Sequence, residues 1–149
     1  MYKDFKSMLI TGSTFSGKTV LISKYIDEVL KDENVILYLI DMKMVELFKY
    51  KDEQKVIYIT SKEQIEEELF EEIKKRSSSD DNSNKPLLYI FVDEYAEVKL
   101  IEGFHKEFKK ILKNKKDLNV EAVFTSQLNE SFCPGMKTTV NTIVKLNRL

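Results

Sequence analysis

The chain has 149 residues, enough for one compact domain with its own core and too few for two ordinary ones, so residues 1–149 are expected to form a single domain. Its 24 basic and 25 acidic side chains leave a net charge of −1, which excludes a bulk electrostatic drive toward nucleic acid and leaves only local patches for such contacts. The one cysteine, Cys133, excludes an intramolecular disulfide, and with a single histidine, His105, there is no Cys/His cluster for zinc.

No run of about eighteen apolar residues occurs, and Met1-Tyr2-Lys3-Asp4-Phe5-Lys6 lacks the apolar centre of a signal peptide. A reduced, cytoplasmic setting is expected, with no direct membrane insertion; any membrane or packaging complex would be joined through partners. Met8-Leu9-Ile10-Thr11 reads as a short strand. It leads into Gly12-Ser13-Thr14-Phe15-Ser16-Gly17-Lys18-Thr19, a complete G-x-x-x-x-G-K-[ST] phosphate-binding loop. Val20, Leu21, Ile22, Tyr25, Ile26, Val29 and Leu30 then recur at helical spacing, predicting a helix of about three turns that ends near Lys31-Asp32-Glu33-Asn34. A phosphate loop at a strand-to-helix turn offers backbone N–H groups and the positive end of the helix dipole to a nucleoside triphosphate. Gly12 and Gly17 permit the close wrap, Lys18 would reach the β- and γ-phosphates, and the Thr19 hydroxyl would bind the accompanying Mg²⁺. A nucleoside triphosphate is the expected ligand, held along Gly12–Val20.

Val35–Ile40 is a continuous apolar run of strand length, the mark of a strand covered on both faces in a parallel sheet, and Val56–Ile59 is a shorter one. Thr60-Ser61-Lys62-Glu63 resembles a capping box before an acidic helix in which Ile65, Leu69 and Ile73 repeat, running to about Arg76. Ser77 to Lys85 reads as a flexible loop within the domain. Leu87–Val92, the most apolar run, is expected to be the central strand. A helix follows with an apolar stripe of Leu100, Ile101, Phe104, Phe108, Ile111 and Leu112, then strands at 121–124 and 140–146. Strands alternating with helices predict a three-layer α/β fold, its mostly parallel sheet binding ligand at the carboxyl ends of the strands.

Asp93-Glu94 closes the central strand. Opposite a phosphate loop, the first carboxylate would hold a water on Mg²⁺ and the second would take a proton from the water attacking the γ-phosphate; in extended conformation the two side chains would diverge. Thr125-Ser126-Gln127 closes the next strand at the same edge, where Gln127 would act as a polar sensor or be an ordinary strand exit.

Taken together these motifs resemble the FtsK/SpoIIIE branch of the FtsK–HerA translocases, RecA-like ATPases that pump double-stranded DNA. Thr11–Val20 looks like the family's A-G-T-T-G-S-G-K-S-V, Leu39–Leu47 is similar to its I-D-P-K-M-L-E-L segment, Phe91–Glu97 to I-D-E-F-A-D and Phe124–Gln127 to A-T-Q. Met136–Leu146 looks like a diverged version of the next strand. The resemblance implies ATP hydrolysis with Lys18, Glu94 and Gln127 as catalytic residues, Thr19 and Asp93 at Mg²⁺, and Asp41 and Lys43 as signature residues near the site. It also implies self-association into a ring, a hexamer, acting on double-stranded DNA in mobile-element transfer, conjugation or phage packaging.

The chain departs from the pattern where Leu128-Asn129 replaces the usual Arg-Pro. Its two arginines, Arg76 and Arg148, match no trans-acting arginine finger, which leaves a nucleotide-binding assembly or regulatory subunit with little hydrolysis as the alternative. A nucleotide kinase fits less well, for want of an arginine-rich lid. Lys106, Lys109, Lys110, Lys113, Lys115 and Lys116 are candidates for contact with DNA or a neighbouring subunit, or form a solvated helix end. His105 is read as a packing residue, and Cys133-Pro134-Gly135 as a turn.

Overall fold

The computed structural model describes residues 6–13, 17–45, 47–128, 131–140 and 142–146. Six strands make one sheet in the order β3-β2-β4-β5-β1-β6, and every pairing is parallel. They are β1 (Met8–Gly12), β2 (Val35–Ile40), β3 (Val56–Ile59), β4 (Leu87–Val92), β5 (Val120–Ser126) and β6 (Thr142–Leu146). The expected α/β architecture is therefore the observed one. The last two strands differ by one or two residues at their ends from the expected bounds.

Period-two alternation assigns each strand residue to one of two cores. Leu88, Ile90 and Val92 of β4 join Leu9, Tyr38, Ile40, Ala122 and Phe124 on one face; Tyr89 and Phe91 join Ile10, Leu37, Leu39 and Val123 on the other. The second face is covered by α1 (Lys18–Val29) through Ile22, Ile26 and Val29, with Leu47 and Tyr50 beside them. The first is covered by α2, α3 (Tyr95–Lys99), α4 (Phe104–Lys113), α5 (Lys115–Leu118) and α6 (Pro134–Thr139). Helix α2 runs continuously through Lys62–Gln64, Ile65–Phe70 and Glu71–Ser77. Its middle is widened to an i→i−5 pattern, the Glu71 N–H reaching the Glu66 carbonyl, and Ile65, Leu69 and Ile73 stay in the core.

Four local expectations are corrected. The α2 cap lies one residue later than expected: Ser61 is the N-cap, its hydroxyl accepts from the Gln64 N–H, and the Gln64 side chain returns to the Thr60 N–H. Leu100 is 85% exposed and outside the core, because the helix after Asp93-Glu94 breaks into α3 and α4 around Gly103 at φ 85°. Pro134 opens α6 at its first position, where a missing N–H costs nothing, so Cys133-Pro134-Gly135 is a helix start. The 77–85 loop is tethered: buried Asn82 donates through Nδ2 to the carbonyls of Arg76 and Asp117.

Candidate nucleotide site

Loop and acids meet at the carboxyl edge of the sheet because of register. Ile40 pairs with Val92, Val92 with Phe124, and Thr11 with Ser126, so the residues following these positions emerge side by side. The strand order inserts β5 between β1, which carries the phosphate loop, and β4, which carries Asp93-Glu94. The polar end of β5 thus separates the two halves of the site.

On the β1 side, Gly17 caps α1 in the left-handed region at φ 85°, ψ 12°. A Cβ there would meet nothing within 4 Å, so the backbone conformation and not crowding favours glycine. Lys18 Nζ folds back to donate to the Gly12 carbonyl at 3.2 Å. Ser13 and Val20 are exposed, while Lys18 and Thr19 are half-buried in the first turn of α1. Thr14, Phe15 and Ser16 lie outside the described residues.

On the β4 side the acids are held by β5. The Thr125 hydroxyl donates to Asp93 Oδ1 at 3.2 Å and accepts from the Glu94 N–H at 3.1 Å. Ser126 Oγ donates to Glu94 Oε1 at 2.8 Å, and the Gln127 N–H to Glu94 Oε2 at 3.2 Å. Asp93 continues the sheet, its N–H bonding the Ile40 carbonyl, but Glu94 turns into the left-handed region at φ 53°, ψ 77°. The expected divergence along an extended strand is therefore replaced by a sharp turn at Glu94. A non-glycine residue in that region costs about 1–2 kcal/mol, which its hydrogen bonds to β5 offset.

Asp41 closes β2 and is fully buried. Its Oδ2 accepts from the Leu47 N–H at 3.1 Å and the Tyr58 hydroxyl at 2.7 Å, whereas Oδ1 has no hydrogen-bond partner among the described residues. Burial first, then the Asp41 carboxylate, pushes the Tyr58 phenol's pKa far above its ordinary value, so it remains a donor. Lys43 makes an exposed ion pair with Glu97 at 3.5 Å, a geometry worth little by itself. Lys43, Glu94, Glu97, Ser126, Gln127 and Leu128 line a cleft of about 210 Å³. A larger groove, about 1450 Å³, runs between α2 and α4 and includes none of these residues.

No protein-family model and no curated protein sequence matches the chain. Solved structures do. The cytoplasmic domain of EssC superposes with a TM-score of 0.81 at 15% identity over 97% of this chain. The pCW3 conjugation coupling protein TcpA, solved as a monomer with ATPγS, gives 0.70 at 21% identity over 91%. B204, the DNA-packaging ATPase of Sulfolobus turreted icosahedral virus, gives 0.68 at 16% identity over 94%. At 15–21% identity these likenesses show a shared fold. The chain spans about a third of the EssC domain (33%), 47% of TcpA and 74% of B204.

Within this fold the remaining candidates divide. Lys106, Lys109, Lys110 and Lys113 are exposed along α4, and Lys116 is exposed on α5. Lys115 is engaged with Glu121 at 2.9 Å, and Glu121 also accepts from Ser7, so Lys115 belongs to a structural cluster. Arg76 is buried, donating to the carbonyls of Pro86, Leu118 and Asn119 just before β4 and β5, at the sheet edge opposite the site. Arg148 lies outside the described residues. Tyr95 donates to His105 Nδ1 or accepts from it at 2.7 Å in a packed aromatic cluster, consistent with a packing role for His105. Sequence patterning gave no role to Thr125, Ser126 or Ser131. The tripeptide closing β5 was visible, but its contacts with the acids depend on strand order.

Proposed function

We propose that the chain is an ATPase of the FtsK/HerA type that couples Mg-ATP hydrolysis to movement of double-stranded DNA, with the nucleotide bound between subunits of a ring. The observation that carries this reading is the direct bonding of the β5 terminus to both acids, in a sheet where β5 lies between them and the phosphate loop. The loop N–H groups and Lys18 bind and orient the triphosphate, Lys18 exchanging the Gly12 carbonyl for phosphate oxygens. A water attacks the γ-phosphorus, the bond to the β–γ bridging oxygen breaks, ADP leaves, and Glu94 accepts the water's proton. Gln127 orients that water. Magnesium bound with the nucleotide supplies charge neutralisation at the phosphates. The Thr19 hydroxyl and the Asp93 carboxylate would hold it, a hard oxygen pair suited to an ion that keeps several waters and takes few protein ligands. Thr125, hydrogen-bonded to Asp93 Oδ1, keeps that carboxylate oriented.

Support for DNA as the cargo comes from the likeness to a DNA-packaging ATPase and a conjugation coupling protein, and from the exposed lysines of α4. The test is ATP turnover measured against protein concentration, with and without double-stranded DNA. The rate per protomer should rise with concentration and with DNA, vanish in Lys18→Ala, and stall in Glu94→Gln while ATP binding persists. Turnover indifferent to DNA overturns the cargo assignment.

One observation favours a second reading. The described arginine, Arg76, is spent on backbone carbonyls at the far edge, so no described guanidinium stands at the nucleotide edge to stabilise transition-state charge. A nucleotide-binding assembly or regulatory subunit would bind ATP tightly and hydrolyse it negligibly at every concentration and DNA length.

A further inference from the structure

We propose that Ser126, backed by Ser131, is the positioning residue that holds the Glu94 carboxylate for the hydrolytic step. The proposal rests on the ATPase reading above and adds to it two residues outside the phosphate loop and the acid pair.

Proton bookkeeping fixes the direction of the chain. Ser126 Oγ lies 2.8 Å from Glu94 Oε1 and 2.7 Å from Ser131 Oγ, and a serine has one hydroxyl proton. An ionised carboxylate can only accept, so the Ser126 proton goes to Glu94 and the Ser131 proton goes to Ser126. The Leu128 N–H also donates to Ser126 Oγ, at 3.2 Å. A hydroxyl that itself receives two donors is polarised into a stronger donor. Ser126 is wholly buried and Ser131 nearly so, so water does not compete readily for these bonds.

The geometry locks more than one atom. The Gln127 N–H occupies Glu94 Oε2 while Ser126 occupies Oε1, so two consecutive residues of one strand end grip both carboxylate oxygens and fix the plane of the group. The Ser131 carbonyl accepts from Lys99 Nζ at 3.2 Å, and Lys99 ends α3, the helix that begins right after Glu94. Covalent and hydrogen-bonded links therefore close a loop from Glu94 through α3, Lys99, Ser131 and Ser126 back to Glu94. A carboxylate on a left-handed residue at a turn would otherwise sample several rotamers. Held in this way it presents one, and pre-set orientation of a base is worth rate and not ground-state affinity.

The experiment is a double-mutant cycle on single-turnover ATP hydrolysis by the full chain under its most active conditions, with KM for ATP measured in parallel. Glu94→Asp keeps a carboxylate base but shortens it by one methylene, drawing it away from Ser126. Ser126→Ala should lower kcat about 10-fold or more with KM little changed, and Ser126→Thr, which keeps the hydroxyl, should recover most of the loss. In the Glu94→Asp background Ser126→Ala should add less than about 2-fold, because the contact is already broken. Ser131→Ala, which leaves Ser126 in place, should show a smaller kcat loss with the same non-additivity, and it decides the matter if Ser126→Ala does not fold. Losses that multiply across the cycle, a loss that falls on KM, or a Ser126→Thr as impaired as Ser126→Ala would each overturn the proposal while leaving the ATPase reading intact. A wild type without turnover under any condition overturns both.

Discussion

Tyr95 and His105 show how one buried contact ties stability to pH. Tyr95 is fully buried, and burial pushes its phenol well above the ordinary tyrosine range, so it stays protonated with its hydroxyl 2.7 Å from His105 Nδ1. When the hydroxyl donates, the bond needs a neutral imidazole with its proton on Nε2. Desolvation, followed by the nearby Lys99 and Lys109 charges, holds the His105 pKa below its ordinary value of 6.5. The unfolded chain therefore binds the proton more readily than the folded one. The neutral histidine contributes stability that is fully present above 6.5 and is lost as pH falls from there through the lower folded value. Urea unfolding from about pH 7.5 to about pH 5.5 should show stability falling with acid in the wild type. His105→Gln, which keeps an acceptor and cannot take up that proton, should flatten this part of the slope. An equally steep fall in the variant would assign the acid sensitivity to other groups.

At the scale of elements, one arginine joins α2 to the amino ends of β4 and β5. Arg76 donates to the carbonyls of Pro86, Leu118 and Asn119 and pairs with Glu72 at 3.1 Å, while Asn82 bonds the Arg76 carbonyl from the following loop. Removing the guanidinium strands buried acceptors, so Arg76→Ala should lose about 3 kcal/mol or more of unfolding free energy. Arg76→Lys should recover only part, since a single ammonium cannot reproduce the planar fork. ATP affinity of the folded fraction should change less than about 2-fold, because the site lies at the other edge. Chemical denaturation and nucleotide titration of the same samples check both statements. The sequence shows this element-level logic unevenly. Continuous apolar runs fill both cores from the strands and a helical repeat covers one of them, so β2, β4 and α1 are readable from Val35–Ile40, Leu87–Val92 and the spacing of Ile22, Ile26 and Val29. The phosphate loop and the acid pair are readable because their chemistry is local in the chain. Arg76, Asn82 and the Ser126–Ser131 pair are not: their partners lie on other elements or beyond the end of their own strand, and polar residues in polar stretches carry no periodic signal. The break at Gly103 was equally hidden, since Leu100 and Ile101 continue an apolar stripe until a left-handed glycine interrupts the helix.

For the whole molecule the electrostatic question is whether a nearly neutral chain can hold a polyanion. With a net charge of −1 there is no long-range attraction, so binding must come from one surface. Lys106, Lys109, Lys110 and Lys113 recur at i, i+3, i+4 and i+7 on α4, all exposed, opposite the buried Phe104, Phe108, Ile111 and Leu112. Like charges at these spacings cost a helix about 0.2–0.5 kcal/mol per pair, and among the described residues no ion pair relieves them. Exposed Glu66 and Glu71 on α2, which line the groove, would repel phosphates that strayed across it, confining a duplex to the α4 side. If the four lysines each neutralise a phosphate, log K for double-stranded DNA should fall with log salt at a slope of about −3.6 per protomer. Lys110→Gln should reduce that slope by about 0.9 and weaken binding similarly for every duplex sequence. Fluorescence anisotropy with two unrelated duplexes across a salt series measures both quantities. A slope unchanged by Lys110→Gln and by Lys106→Gln would remove α4 from the DNA footprint and leave its lysines as a solvated helix face, in which case any duplex contact would have to come from the carboxyl edge beside the nucleotide.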